Sequence, residues 1–120
     1  MPVTLSFPKA RRLTRTAEFD RVRSDGKVWR GELIKLAVAS SPMPNEPMRL
    51  GIIASRKVGS AVVRNRVRRR LREIVRGHQH EIAGGVWLVA IISERAAGAS
   101  YQQLKDEWLR LASRASILAP

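Results

Sequence analysis

The chain has 120 residues, of which 23 are Lys or Arg and 10 are Asp or Glu, a formal charge of +13. That length suits a single domain over residues 1–120, and 44% hydrophobic residues can build a core, which excludes wholesale disorder. The absence of cysteine excludes a disulfide framework, a thiol nucleophile and Cys-ligated zinc, and it fits a reducing compartment.

Residues 1–11 hold Pro2 and Pro8 and read as a flexible arm. The opening MPVTLSFPKARR places its charges after a broken apolar run, the reverse of a secretory signal. Thr14 is placed to cap a short helix running to about Ser24, with Gly26 as its stop. Arg30 to Ser40 alternates Ile34, Leu36 and Val38 with Lys35, Ala37 and Ala39, the pattern of a half-buried strand. SPMPNEP carries three prolines in seven residues and is a loop. Arg49 to Ser55 reads as a second strand, and a hairpin is the simplest connection between the two. A helix covers Arg64 to Arg76 and starts near Gly59 or Ser60. Val86 to Ser93 is a continuous apolar run of strand length, suited to a strand covered on both faces. The longer run from Ile82 to Ser93 is too short to span a bilayer as a helix. Ser100 and Gln103 form a capping box for a last helix, lined by Leu104, Trp108, Leu111 and Ala115. These elements predict an α+β two-layer sandwich, with helices packed on a small mixed sheet.

The informative stretch is Arg56 to Arg76, RKVGSAVVRNRVRRRLREIVR. It holds nine basic residues and one acid in 21 positions. At about 100° per residue, Val63, Val67, Leu71, Ile74 and Val75 share roughly one third of the circumference. Asn65, Arg66, Arg68, Arg69, Arg72 and Arg76 fall on the rest, and Arg64 lies at the edge of the apolar stripe. A run of charges is ordinarily a solvated face of mixed sign. Here Arg64, Arg68, Arg72 and Arg76 repel one another at i, i+4 spacing with no acid in that row. A helix that accepts this cost is built to meet a polyanion. Arginine in place of lysine favours forked contacts to phosphate. Asn65 is the one base-reading type on the face, and no second helix stands at helix-turn-helix spacing, so RNA fits better than DNA.

These residues resemble the bacterial ribonuclease P protein component. The family pattern is a basic pair, Val/Ile-Gly, a short spacer, then Arg-Asn-Arg and a basic helical run. Here the pair is Arg56-Lys57, the glycine is Gly59, and the core is Arg64-Asn65-Arg66. Arg12-Leu13, Phe19, Leu50-Gly51-Ile52, the strand at Val86 and the Leu-rich last helix agree, so the resemblance covers about residues 11 to 115. It implies the order helix, three strands, helix, strand, helix, with the extra strand within Lys27 to Ser55 and a left-handed crossover through the basic helix. It also implies a cytoplasmic ribonucleoprotein endonuclease for tRNA processing. Its RNA subunit carries the catalytic Mg²⁺ and removes the 5′ leader of precursor tRNA. The protein itself has no catalytic residue, no assigned cofactor or metal site, and needs no protein partner. Carried over by position, Arg56, Lys57, Arg64, Asn65, Arg66, Arg68, Arg69 and Arg72 bind the ribonuclease P RNA. Arg12, Phe19, Arg23 and Lys35 bind the leader, with a base stacked on Phe19. The competing reading of Phe19 is a core aromatic packed on the sheet.

Two departures stand out. Where the family often has a second aromatic four residues after the first, this chain has Arg23, which makes leader binding more electrostatic. The acid and base that often flank the fourth strand are replaced by Val86 and by Ile92 or Ser93, while Trp87 reads as core. Three other functions compete. A protein nuclease would use His78-Gln79-His80-Glu81, but the neighbouring Gly77 and Gly84-Gly85 mark a solvated loop. A structural RNA-binding protein or RNA chaperone fits the composition and is set aside only by the ordered signature. A membrane-active helix would want Trp or Phe in its apolar stripe, and this one has neither.

Overall fold

The computed structural model describes residues 12–43 and 45–118. The arm expected at 1–11 lies outside them, as does Pro44. In chain order the elements are α1 (Thr16–Asp25), β1 (Lys27–Arg30), β2 (Ile34–Ser40), β3 (Arg49–Ala54), α2 (Ala61–Gly77), β4 (Val86–Ile92) and α3 (Tyr101–Arg114). Short 3-10 turns at Arg56–Val58, Gln79–Glu81 and Glu94–Gly98 join the later ones. This is the expected α+β order, and the extra strand is β1.

The strands lie in the order β1-β2-β4-β3, with β3 parallel to β4 and the other pairs antiparallel. The hairpin expected between the second and third of these strands is therefore not formed. β4 is apolar along its whole length, so an edge position would leave one side of it in water. It instead takes a central place and pairs with all seven residues of β2 and all six of β3. The strand expected from Arg30 to Ser40 is also broken at Gly31, Glu32 and Leu33. There the buried Glu107 carboxylate accepts the N–H groups of Glu32, Leu33 and Ile34 at 2.9, 2.8 and 2.7 Å.

Helices cover both faces. On one, α2 and α3 bury Ile34, Leu36, Leu50, Leu88, Ala90 and Ile92 against Val67, Leu71, Ile74, Leu104, Trp108 and Leu111. Each fully buried Leu or Ile contributes about 1.5–3 kcal/mol relative to exposure. On the other, α1 closes a smaller cluster of Leu13, Val22, Ala37, Ala39, Trp87 and Val89. β2 is thus not half-buried as its alternation suggests. Ala37 and Ala39 are small enough to let α1 lie directly on them, and only Lys35 and Ser40 remain exposed.

The helix ends explain the boundaries. Thr14 does not cap α1. The Glu18 carboxylate reaches back and accepts the Thr14 and Arg15 N–H groups, each at 2.9 Å, and Gly26 stops the helix as expected. Ser60 caps α2 by accepting the Val63 N–H, directly after Gly59 at φ 148°, a conformation that side chains resist. Ser100 and Gln103 cap α3 reciprocally, as the spacing predicts.

Candidate nucleic-acid interface

The amphipathic reading of α2 holds in the structure. Val67, Leu71, Ile74 and Val75 are buried, while Asn65, Arg69 and Arg72 are exposed. Arg56 and Lys57 are exposed on the turn that leads into the helix. Arg64, Arg66 and Arg68 are half-buried at its flanks. Among the described residues no α2 arginine forms an ion pair. Several are held by neutral groups instead. Arg66 donates to the Ala97 carbonyl at 3.2 Å and Arg70 to the Ala99 carbonyl at 3.2 Å, which ties α2 to the turn before α3. Arg68 donates to Asn65 Oδ1 at 3.4 Å and to the Ala54 carbonyl at 3.5 Å. The positive charges are oriented by these contacts and not neutralised by them.

Arg68 joins this face to a second site. Because β3 is an edge strand, the Arg68 guanidinium reaches round it from α2 toward the α1 side of the sheet. There it lines a cleft of about 310 Å³ with Phe19, Arg23, Asp20 and the residues Ile52 to Ala54. Phe19 and Arg23 sit one helical turn apart on α1 and face the same cleft. The core reading of Phe19 holds in part. The ring packs on the α1 cluster and lies so close over Gly51 that a Cβ there would meet it at 2.4 Å. It is nevertheless only half-buried and lines the cleft.

The other two leader candidates lie beyond this cleft. Arg12 bridges beside Leu50 at the β3 edge, and Leu13 donates to the Leu50 carbonyl at 2.9 Å. Arg12 and Arg68 approach Arg72. Partial burial first, then these two charges, lower the Arg72 pKa from its ordinary value. Such a cluster attracts anions. Lys35 is exposed on β2, in register with Ile91 of β4 and through it with Ile53 of β3. It lies on the same face of the sheet as the cleft, nearer the opposite edge.

Several residues that brace the site carry no sequence motif. Arg49 pairs with Glu18 of α1 at 3.4 Å and with Glu46 at 3.3 Å. Glu46 also accepts from Ser41 Oγ at 2.7 Å and from Trp87 Nε1 at 2.8 Å. Trp87 does fill core, and the guanidinium groups of Arg21 and Arg49 lie about 6 Å from its ring. Burial raises the Glu18 pKa. The Arg15 and Thr14 N–H groups, with Arg49 and Arg15, outweigh this and hold it below the ordinary value. Hydrogen bonds from Ser41 and then Trp87, aided by Arg49, lower Glu46 against a smaller opposing effect of burial. At the departures noted above, Val86 is half-buried and Ile92 is buried, while Ser93 Oγ donates to the Glu32 and Leu33 carbonyls.

The histidine segment is only in part the solvated loop expected: His80 and Glu81 are exposed, but the segment is anchored to the fold. His78 ends α2 and stacks on Trp108 with centroids 6.1 Å apart, its Nδ1 meets Glu81, and Gln79 is buried. These contacts give it a capping role. No group of three or more His, Asp or Glu stands together as a metal site among the described residues. Nor is any described helix long and apolar enough to cross a membrane.

Comparison with known proteins agrees with this geometry. The family model for ribonuclease P matches residues 7–116. The ribonuclease P protein component of Chloroflexus aggregans is 39% identical over 111 residues, covering 92% of this chain and 81% of that protein. The Thermotoga maritima ribonuclease P protein is 27% identical, with a TM-score of 0.77 over 86% of this chain and 96% of that one. The Staphylococcus aureus protein, 24% identical, shares the fold with a TM-score of 0.84 over 92% and 99% of the two chains. The chain therefore belongs to the bacterial ribonuclease P protein component family, the protein part of an endoribonuclease that works as a ribonucleoprotein.

Proposed function

We propose that the exposed arginines of α2, with Arg56 and Lys57, dock on the ribonuclease P RNA while the Phe19–Arg23 cleft holds the 5′ leader of precursor tRNA. The RNA subunit and its Mg²⁺ do the cutting, in the cytoplasm and without a further protein. The observation that carries this reading is the position of Arg68, which belongs to both surfaces at once. One polyanion on the α2 face and another in the cleft then share a wall of positive charge. A +13 protein between two RNAs releases counterions from both and lowers the Mg²⁺ they need to associate.

The test is cleavage of a precursor tRNA at low Mg²⁺ by the protein alone, by a bacterial ribonuclease P RNA alone, and by both. The expected result is cutting at the mature 5′ end by the mixture only. Tight binding to the RNA without faster cleavage would favour a structural RNA-binding role instead.

A further inference from the structure

We infer that the cleft does not end at Phe19 and Arg23 but continues across the sheet as a phosphate track that closes on a cation pair, Arg30 and Lys35. This inference rests on the leader reading of the cleft and extends it to a residue on β1, Arg30.

The register places the track. Ile53 of β3 is paired with Ile91 of β4, Ile91 with Lys35 of β2, and Lys35 with Arg30 of β1. Residues in one register row share a face of the sheet. This row lies on the α1 face, where Ile53 and Ile91 pack beside Phe19 and are only half-buried. From β3 to β1 it crosses three strand spacings, about 14 Å. Its floor is apolar and its far end is cationic.

The far end shows a cost that needs a reason. Arg30 and Lys35 stand directly opposite each other, both exposed. The next pair toward the turn carries the ladder bond from the Gly31 N–H to the Ile34 carbonyl, so Arg30 and Lys35 occupy a position where facing side chains come closest. Like charges so placed destabilise a sheet. Neither residue has an ion pair or hydrogen bond from its side chain among the described residues. A bound phosphate placed between them turns repulsion into attraction.

The track has a definite chemistry. Past Phe19 it offers, among the described residues, Arg23, Lys35 and Arg30, and no ring. It grips the backbone of a single strand and leaves its bases unread. The outer leader is therefore held without base preference and with a strong salt dependence.

Arg30→Glu separates this from a folding effect, because the new carboxylate can pair with Lys35. The variant should melt at a higher temperature than the parent, yet bind a long-leader precursor more weakly. Affinity is measured on the assembled holoenzyme, with leaders trimmed one nucleotide at a time. The milder Arg30→Gln should lose roughly two- to fivefold on long leaders, the scale of one exposed ion pair. Its salt slope should fall by about 0.7, the value for one single-strand phosphate contact. Both losses should vanish once the leader is too short to reach β1. An unchanged long-leader affinity, or an equal loss with leaderless tRNA, overturns the track. Phe19→Ala, assayed alongside, tells which reading has failed. If its loss depends on leader length while that of Arg30→Gln does not, the cleft stands and its extension falls. If neither depends on leader length, the leader reading fails as well.

Discussion

Glu107 lies on the buried stripe of α3, three residues after Leu104 and four before Leu111. It is 4% exposed, and its two oxygens accept three successive backbone N–H groups where β1 turns into β2. Arg110 lies 3.4 Å from it and is the one cation paired with it among the described residues. Removing the carboxylate strands three donors, one buried and two part-buried. Each such donor costs about 1–3 kcal/mol, partly relieved by local movement. Glu107→Ala should therefore lower stability by about 3 kcal/mol or more in urea unfolding, while the folded protein keeps its affinity for ribonuclease P RNA. A loss below about 1 kcal/mol would mean that the turn finds other acceptors. Glu107→Gln should fall between the two, because it trades one acceptor oxygen for a donor. Gly31 belongs to the same device, since a Cβ there would meet the carboxylate carbon at 2.5 Å.

Within α2 the arginines divide into two kinds. Arg66 and Arg70 donate to the carbonyls of Ala97 and Ala99, whereas Arg69 and Arg72 are exposed and make no side-chain hydrogen bond or ion pair among the described residues. Arg70→Ala should lower stability by about 1 kcal/mol, the worth of one hydrogen bond, and leave the salt slope of RNA binding nearly unchanged. Arg69→Ala or Arg72→Ala should flatten that slope by about one unit each and leave stability level or slightly raised, since each relieves repulsion within the helix. Equal slopes for all three variants would refute the division. The helix itself is legible in the sequence, because its apolar stripe repeats at helical spacing and its charges share one sign. The division is not, because it depends on where the turn at Glu94–Gly98 is folded. The same limit explains the false hairpin. SPMPNEP looks like a hairpin loop, and local pattern cannot reveal that a strand from 32 residues beyond Ala54 enters between its neighbours. The clue was the unbroken apolar run of β4, which demands a partner on both sides. Phe19 and Arg23 come together as leader candidates only through the family resemblance, whereas the entry of Arg68 into their cleft depends on β3 being an edge. Glu107 did leave a signal, a lone acid inside an apolar stripe.

Over the whole molecule, the few acids do most of their work as braces. Glu18, Glu46 and Glu107 tie α1, the loop before β3, the start of β4 and the β1–β2 turn to the rest of the fold. They do so against a net charge of +13 that opposes the compact state. The direction of the acid response follows. Glu18 and Glu46 titrate below the ordinary value of 4.5 when folded, so their stabilisation is complete above that value. It is lost as pH falls through the lower, folded-state values, just as protonation leaves the 23 Lys and Arg unopposed. Urea midpoints measured from pH 7 to pH 3 at low salt should therefore fall steeply once pH drops below about 4.5. Glu46→Gln should start lower and show a shallower fall. Added salt should raise the midpoint at pH 7 and raise it further at pH 3, because screening repulsion among many like charges outweighs screening of a few ion pairs. A flat midpoint across the acid range would mean that the two carboxylates brace nothing. A midpoint lowered by salt at pH 7 would mean that the ion pairs, and not the repulsion, dominate the free protein. The +13 surface would then have to be explained without a stability cost that bound RNA removes.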